Sequence, residues 1–232
     1  MGSNVWKGRA SAALLLAALV AGCGSSSSQR TGFSANVTNA WFPLHPGSVY
    51  RYRGIKDGKP SREVMTVTHR TRTIDGARCV VVSDLLYLRS RLEERTRDYY
   101  TQDADGNVWY FGEDTAELDA HGRVKTREGT WQAGVDEAKP GIFMYAHPRI
   151  GQSARQEFLK GQAEDHFEVL RRGVTATVPF KRFDGAMLTK EWTPLEPGVI
   201  DHKYYVRGIG TVLEQTVKGG DERNELVSFS RG

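Results

Sequence analysis

The stretch YYTQDADGNVWYFGED, residues 99–114, holds Asp103, Asp105, Asn107 and Asp114 at intervals that resemble the oxygen ligands of a calcium loop. An EF-hand loop takes ligands at positions 1, 3, 5 and 12, and a glycine at position 6 makes its sharp turn. Counted from Asp103, position 6 is Val108, and position 12 is Asp114, whose side chain is shorter than the usual glutamate. The same residues read better as a β-hairpin: YYTQ and VWYF as strands, joined by DADGN, in which Gly106 or Asn107 takes positive φ. Pairing Gln102 with Val108 sets Tyr100 opposite Tyr110 on one face, and Trp109, Phe111 and Tyr99 on the other.

Other reactive side chains are scattered. His166 and His202 lie beside Glu164, Asp165 and Asp201, but adjacent strand residues point to opposite faces, so no metal site is expected. Glu191, Glu196 and Asp201 are the candidates for a carboxylate pair of the kind that hydrolyses glycans. Cys79, in the apolar run ARCVVV, reads as a small buried hydrophobe and not as a nucleophile. There is no G-x-S-x-G, H-E-x-x-H, Walker loop or Cys-x-x-Cys, and no cofactor is expected.

The elements that must position these residues read as antiparallel β-strands. Asp-Gly pairs at 57–58, 75–76, 105–106 and 184–185 mark turns, as do His121-Gly122, Pro197-Gly198 and Gly219-Gly220. Strand-length runs rich in Val, Thr, Tyr and Phe lie between them: SVYRYRG, REVMTVTH, RCVVVSD, HFEVL, VTATVPF, HKYYVRG, TVLEQTV and ELVSFS. In LLYLRSRLEERTRDYY, Leu85, Leu88, Leu92 and Tyr99 also fit a helical period, but the surrounding hairpins favour two strands. The fold class expected is all-β, with at most one or two helices, in a single curved sheet or half-barrel. Adjacent aromatics place rings on both faces, so one face packs on a core and the other is covered or lines a concavity. Trp109, Tyr110, Tyr100 and Tyr204 are the candidate ligand-lining residues. Tyr204 shares a face with Val206 and is expected inward; Tyr205 shares one with Lys203 and Arg207 and is expected to face solvent.

The N-terminus supplies an address. Lys7 and Arg9 precede ASAALLLAALVAG, an apolar run too short to span a bilayer but suited to a signal peptide. It ends in Val20-Ala21-Gly22-Cys23, which resembles the bacterial lipobox. That resemblance implies a signal peptide over 1–22, acyl chains of the palmitate kind on Cys23, and a lipid anchor in the cell membrane or outer membrane on its extracytoplasmic face. A Ser-rich tether over 23–40 and a single β-rich domain over 41–232 follow. Loss of Lys7 and Arg9 lowers the formal net charge from +4 to +2, and charges of both signs are interspersed, so nucleic acid is not an expected partner.

AWFPLHPGSVYRYRG at 40–54 and YYVRGIGTVLEQTVKGG at 204–220 resemble the opening and closing segments of a group of exported bacterial lipoproteins of uncharacterised function, as do DGNVWYFGEDT and KEWTPLEPGV between them. The opening pattern is F-P-L-x-x-G and the closing one Y-x-x-G-x-G-x-V. In outline such chains are similar to the half-barrels of lipoprotein carriers, which hold acyl chains in a concave face. The resemblance implies a non-catalytic envelope protein binding an apolar or amphipathic ligand, such as a lipid, or a partner protein. The alternative is an envelope hydrolase acting on glycan or peptidoglycan.

Overall fold

The computed structural model describes residues 30–232; the expected signal peptide over 1–22 and Cys23 lie outside the described residues. The described residues form sixteen strands and include no α-helix. They are β1 (Val49–Lys56), β2 (Lys59–Ile74), β3 (Ala77–Leu88), β4 (Arg91–Gln102), β5 (Val108–Glu113), β6 (Ala116–Leu118), β7 (Val124–Thr126) and β8 (Trp131–Gln132). Then come β9 (Lys139–Met144), β10 (Ser153–Arg155), β11 (Glu157–Phe158), β12 (His166–Thr177), β13 (Arg182–Trp192), β14 (Ile200–Val206), β15 (Gly210–Lys218) and β16 (Arg223–Ser230). All pair antiparallel; the main path runs β10-β12-β13-β14-β15-β16-β1-β2-β3-β4-β5-β9-β11, while β6 pairs with β4 and β7, and β8 with β5. The expected all-β curved sheet is what the chain forms, curled further than a half-barrel into a nearly closed barrel.

Closure runs through one short segment. β10 pairs with β12 at one edge of the sheet, and β11, one residue further on, pairs with β9 at the other. Gly141 on β9 makes this seam possible: a Cβ there would lie 2.2 Å from the Arg155 carbonyl oxygen.

Turn chemistry explains the hairpins. Asp57-Gly58 and Asp75-Gly76 have positive φ at both residues, as a tight primed turn requires. The β3–β4 turn meets the same requirement with Arg89 and Ser90, at φ 47° and 71°. Residues 85–100 are therefore two strands around a turn that carries none of the usual turn residues. The 99–114 hairpin has the expected register, with Gln102 opposite Val108 and Tyr100 opposite Tyr110. Asp184-Gly185 is not a turn: it lies inside β13 at a register shift, and the chain reverses instead at 178–181. HFEVL and VTATVPF likewise merge into one long, irregular β12.

The fold begins earlier than Trp41. Ser34 bridges Gln102, Val37 is fully buried, and the Phe33 ring packs edge-on against Trp109 and Phe111. Phe33 thus covers the outer aromatic face of the hairpin, so folded structure extends into the stretch 23–40 expected as a tether. Trp41-Phe42-Pro43-Leu44 then enters the barrel as a stopper, each residue buried. Asn39 fastens it: Oδ1 accepts from the Trp41 and Phe42 amides, while Nδ2 donates to the Gly106 and Tyr145 carbonyls. Phe42 packs against Tyr100 and Phe143. Alternation along the meander puts the stopper, the 75–76 and 103–107 turns and Arg30 at one end of the barrel. The 57–58, 89–90 and 219–222 turns lie at the other.

Candidate functional site: an acidic lumen

The interior of the barrel is charged. Inward positions of successive strands present Glu63 on β2, Asp84 on β3, Glu94 and Asp98 on β4, Glu113 on β5 and Glu214 on β15, all around one cavity of about 270 Å³. It lies at the end remote from the stopper, between the ends of β1, β3 and β15. Eight carboxylates and two cations, Lys56 and Arg223, line it. Arg223 is already engaged with Gln215 and Glu225, and Lys56 approaches only Glu222, at 4.0 Å. Asp98 sits directly opposite Glu113 across the β4–β5 ladder, a like-charge pair that both groups can occupy only if protons are retained.

Burial does retain them. It pushes the carboxyl of Asp98 up to about 7 and that of Glu113 to about 9, with the neighbouring acids adding to the Glu113 shift. Tyr110 donates to Asp98 at 2.7 Å and Thr115 to Glu113 at 3.0 Å, which offsets part of the cost. Glu63 and Asp84 are also raised, by burial first and, for Asp84, by Glu63 beside it. Asn224 donates to Glu63 Oε2, whereas Asp84 Oδ1, shut from solvent, meets no donor among the described residues. Two adjacent carboxyls in this setting share a proton.

Further round, Lys203 on β14 points inward. Its Nζ lies 2.9 Å from Glu191 Oε2 and 3.3 Å from Glu214 Oε1. Burial alone would lower the ammonium's pKa, but these two carboxylates outweigh it and hold it well above the usual lysine range. Tyr205 donates to Glu191 at 3.0 Å, and Thr189 does so at 3.1 Å. A cavity of about 520 Å³ here takes in Glu191, Glu196 and Asp201, the expected hydrolase candidates, together with Glu157, whose carboxyl burial raises to about 8. Glu191 is fixed by Lys203, and Asp201 accepts from Thr216 at 2.6 Å. His166 stacks on Trp192, and among the described residues no group of three or more His, Cys, Asp or Glu is arranged to hold a metal ion.

A third cavity, about 190 Å³, lies between the stopper and the acids. Phe42, Tyr50, Tyr52, Met65, Tyr100 and Phe143 supply its apolar wall, and it shares Glu63, Asp84, Glu214 and Asn224 with the first. The lumen is therefore aromatic at the stoppered end and acidic at the opposite end.

Of the candidate ligand-lining residues, Tyr100 borders the third cavity. Tyr110 is buried and stacked on Tyr100 at 4.7 Å. Trp109 is on the outer face, donating to Asp103, and Tyr204 is half-buried there too. The expectation for the Tyr204–Tyr205 pair is reversed: Tyr205 is fully buried and inward, because its face-mate Lys203 is an inward charge. Asp103, the first supposed calcium ligand, instead caps its own loop, accepting from Asn107 N, Asn107 Nδ2 and Trp109 Nε1, while Asp114 pairs with Arg127. Cys79 is fully buried, and burial raises its thiol to about 12, as suits a core residue.

Glu63, Asp84, Asp98, Glu113, Lys203 and Glu214 are the lumen residues that sequence reasoning missed. One signal for them exists: on β4 Arg95 and Arg97 alternate with Glu94 and Asp98, so over this stretch the two faces carry opposite charge.

No protein-family profile matches the chain, and no curated protein does. Among solved structures, the chain is similar to a "putative lipoprotein" from Parabacteroides distasonis, with 12% identity, a TM-score of 0.43, and coverage of 82% of this chain and 97% of that one.

Proposed function

We propose that the protein is a lipoprotein anchored through Cys23 on the extracytoplasmic side of a bacterial membrane, and that it holds an amphipathic ligand in its lumen without transforming it. The lumen carries this reading. It is stoppered by Trp41–Leu44 at the end where the tether enters, and an aromatic compartment passes into a polar one towards the opposite mouth. A ligand with an apolar tail and a polar head matches that sequence of walls. The lipobox at Val20–Cys23 supports the anchor.

Two measurements test the reading. Expressed in a bacterium, the wild type should fractionate with membranes, and Cys23→Ala should fail to mature; a soluble wild type with unmodified Cys23 refutes the anchor. Residues 23–232 with Cys23→Ala, expressed without the signal segment as a mature-length chain that needs no detergent, should bind single-chain twelve-carbon amphiphiles saturably at one site. If it binds none of them, whatever the headgroup, the ligand reading fails and an envelope protein partner takes its place.

The hydrolase alternative has one observation in its favour, the shared cavity of Glu191, Glu196 and Asp201. Against it, Lys203, Tyr205 and Thr189 commit the Glu191 carboxylate to internal contacts.

A further inference from the structure

Resting on the reading of the lumen as a ligand site, we infer that the ligand's head is an ammonium group and that Glu63 and Asp84 receive it. The chain itself shows how this interior accommodates carboxylates in pairs. Glu191 and Glu214 are bridged by the Lys203 ammonium, whose Nζ is within 3.3 Å of both. Glu63 and Asp84 form a second pair in the same barrel, and among the described residues no lysine or arginine forms an ion pair with either. Asp84 has the proton it shares with Glu63 as its one side-chain partner, and its buried Oδ1 meets no further donor among the described residues. Leaving such an acceptor unmatched is costly, and an N–H donor carrying positive charge is its strongest complement.

Position adds a second constraint. Glu63 and Asp84 are common to the acidic cavity and to the aromatic one, so a head seated between them directs its tail along Met65, Tyr52 and Tyr100 towards the stopper. The two volumes, about 270 and 190 Å³, suit a single-chain molecule and not a diacyl lipid. A bare metal ion fits poorly, because it would leave the aromatic compartment uncovered and lacks a converging set of three ligands among the described residues. A primary alkylammonium offers three N–H donors and a tail.

The test compares dodecylammonium, dodecanol and dodecanoate, the same tail with three heads, against the mature Cys23→Ala chain by titration calorimetry. Dodecylammonium should bind about tenfold or more tightly than dodecanol, and dodecanoate more weakly than either. Asp84→Asn and Glu63→Gln should each remove most of the ammonium's advantage over dodecanol. Should either variant fail to fold, the wild-type headgroup series still decides. Dodecanoate binding as tightly as dodecylammonium overturns the ammonium head and leaves an amphipathic site standing. Failure of all three probes overturns the site itself.

Discussion

Raising the pH from about 6 to about 8 should weaken the fold, and Glu113→Gln should blunt that loss. Burial and the neighbouring acids push the Glu113 carboxyl up to about 9, whereas an unfolded glutamate titrates near about 4.3. Between those values the folded chain holds a proton that the unfolded chain has lost. For a carboxyl raised in this way, the stabilising contribution is complete below the unfolded value and disappears as pH rises through the folded one. One such proton changes stability by about 1.4 kcal/mol per pH unit, so two units cost on the order of 2–3 kcal/mol from Glu113 alone. Glu157, raised to about 8, acts in the same direction, and Asp98 and Glu214, both near 7, act over the lower half of the window. These groups face one another and do not add independently. Urea unfolding at the two pH values reads the effect directly. The wild type should lose about 2 kcal/mol or more, and Glu113→Gln distinctly less, because an amide has no proton to surrender. Equal wild-type stability at both values, or identical losses in wild type and variant, would refute protonated lumen carboxyls.

Millimolar calcium should leave the melting temperature unchanged, since Asp103 is occupied by its own loop; a 10 μM site would add roughly 2.7 kcal/mol at 1 mM calcium, a shift of several degrees. Lys203→Met should destabilise the chain by about 3–5 kcal/mol in thermal or urea unfolding, by leaving Glu191 and Glu214 without their shared cation; a loss under about 1 kcal/mol contradicts a buried bridge. Gly141→Ala should cost about 1–3 kcal/mol and speed amide exchange in β10 and β11, because its Cβ displaces the Arg155 carbonyl at the seam; unchanged exchange there contradicts closure through Gly141.

Much of the fold is legible in the sequence, because period-2 alternation and Asp-Gly turns are local signals. The 99–114 register follows from them residue by residue. The β3–β4 turn is illegible because Arg89 and Ser90 hold positive φ only under the constraint of the strands they join. The lumen is illegible for a different reason. A strand's charged face is by default its solvent face, and by that rule Tyr205 reads as outward because Lys203 is its face-mate, although both point inward. In a curled sheet the inner face can be charged when acids keep protons or share a lysine, and that depends on partners distant in sequence, such as Lys203 with Glu191 and Glu214. The opposite charges of the two β4 faces are the one local trace of it.

Proton release on binding tests most directly whether the lumen is a protonated carboxylate site that receives an ammonium. Glu63 and Asp84, facing Glu94 and Asp98 on β4 and Glu214 and Lys203 from the opposite wall, should give up their shared proton when an ammonium takes its place. Titrating dodecylammonium into the mature Cys23→Ala chain near neutral pH, in buffers of differing ionisation enthalpy, counts the protons released. About one proton per bound ligand is predicted, falling towards zero in Asp84→Asn. Binding with no proton release, or the same release in wild type and Asp84→Asn, contradicts the account.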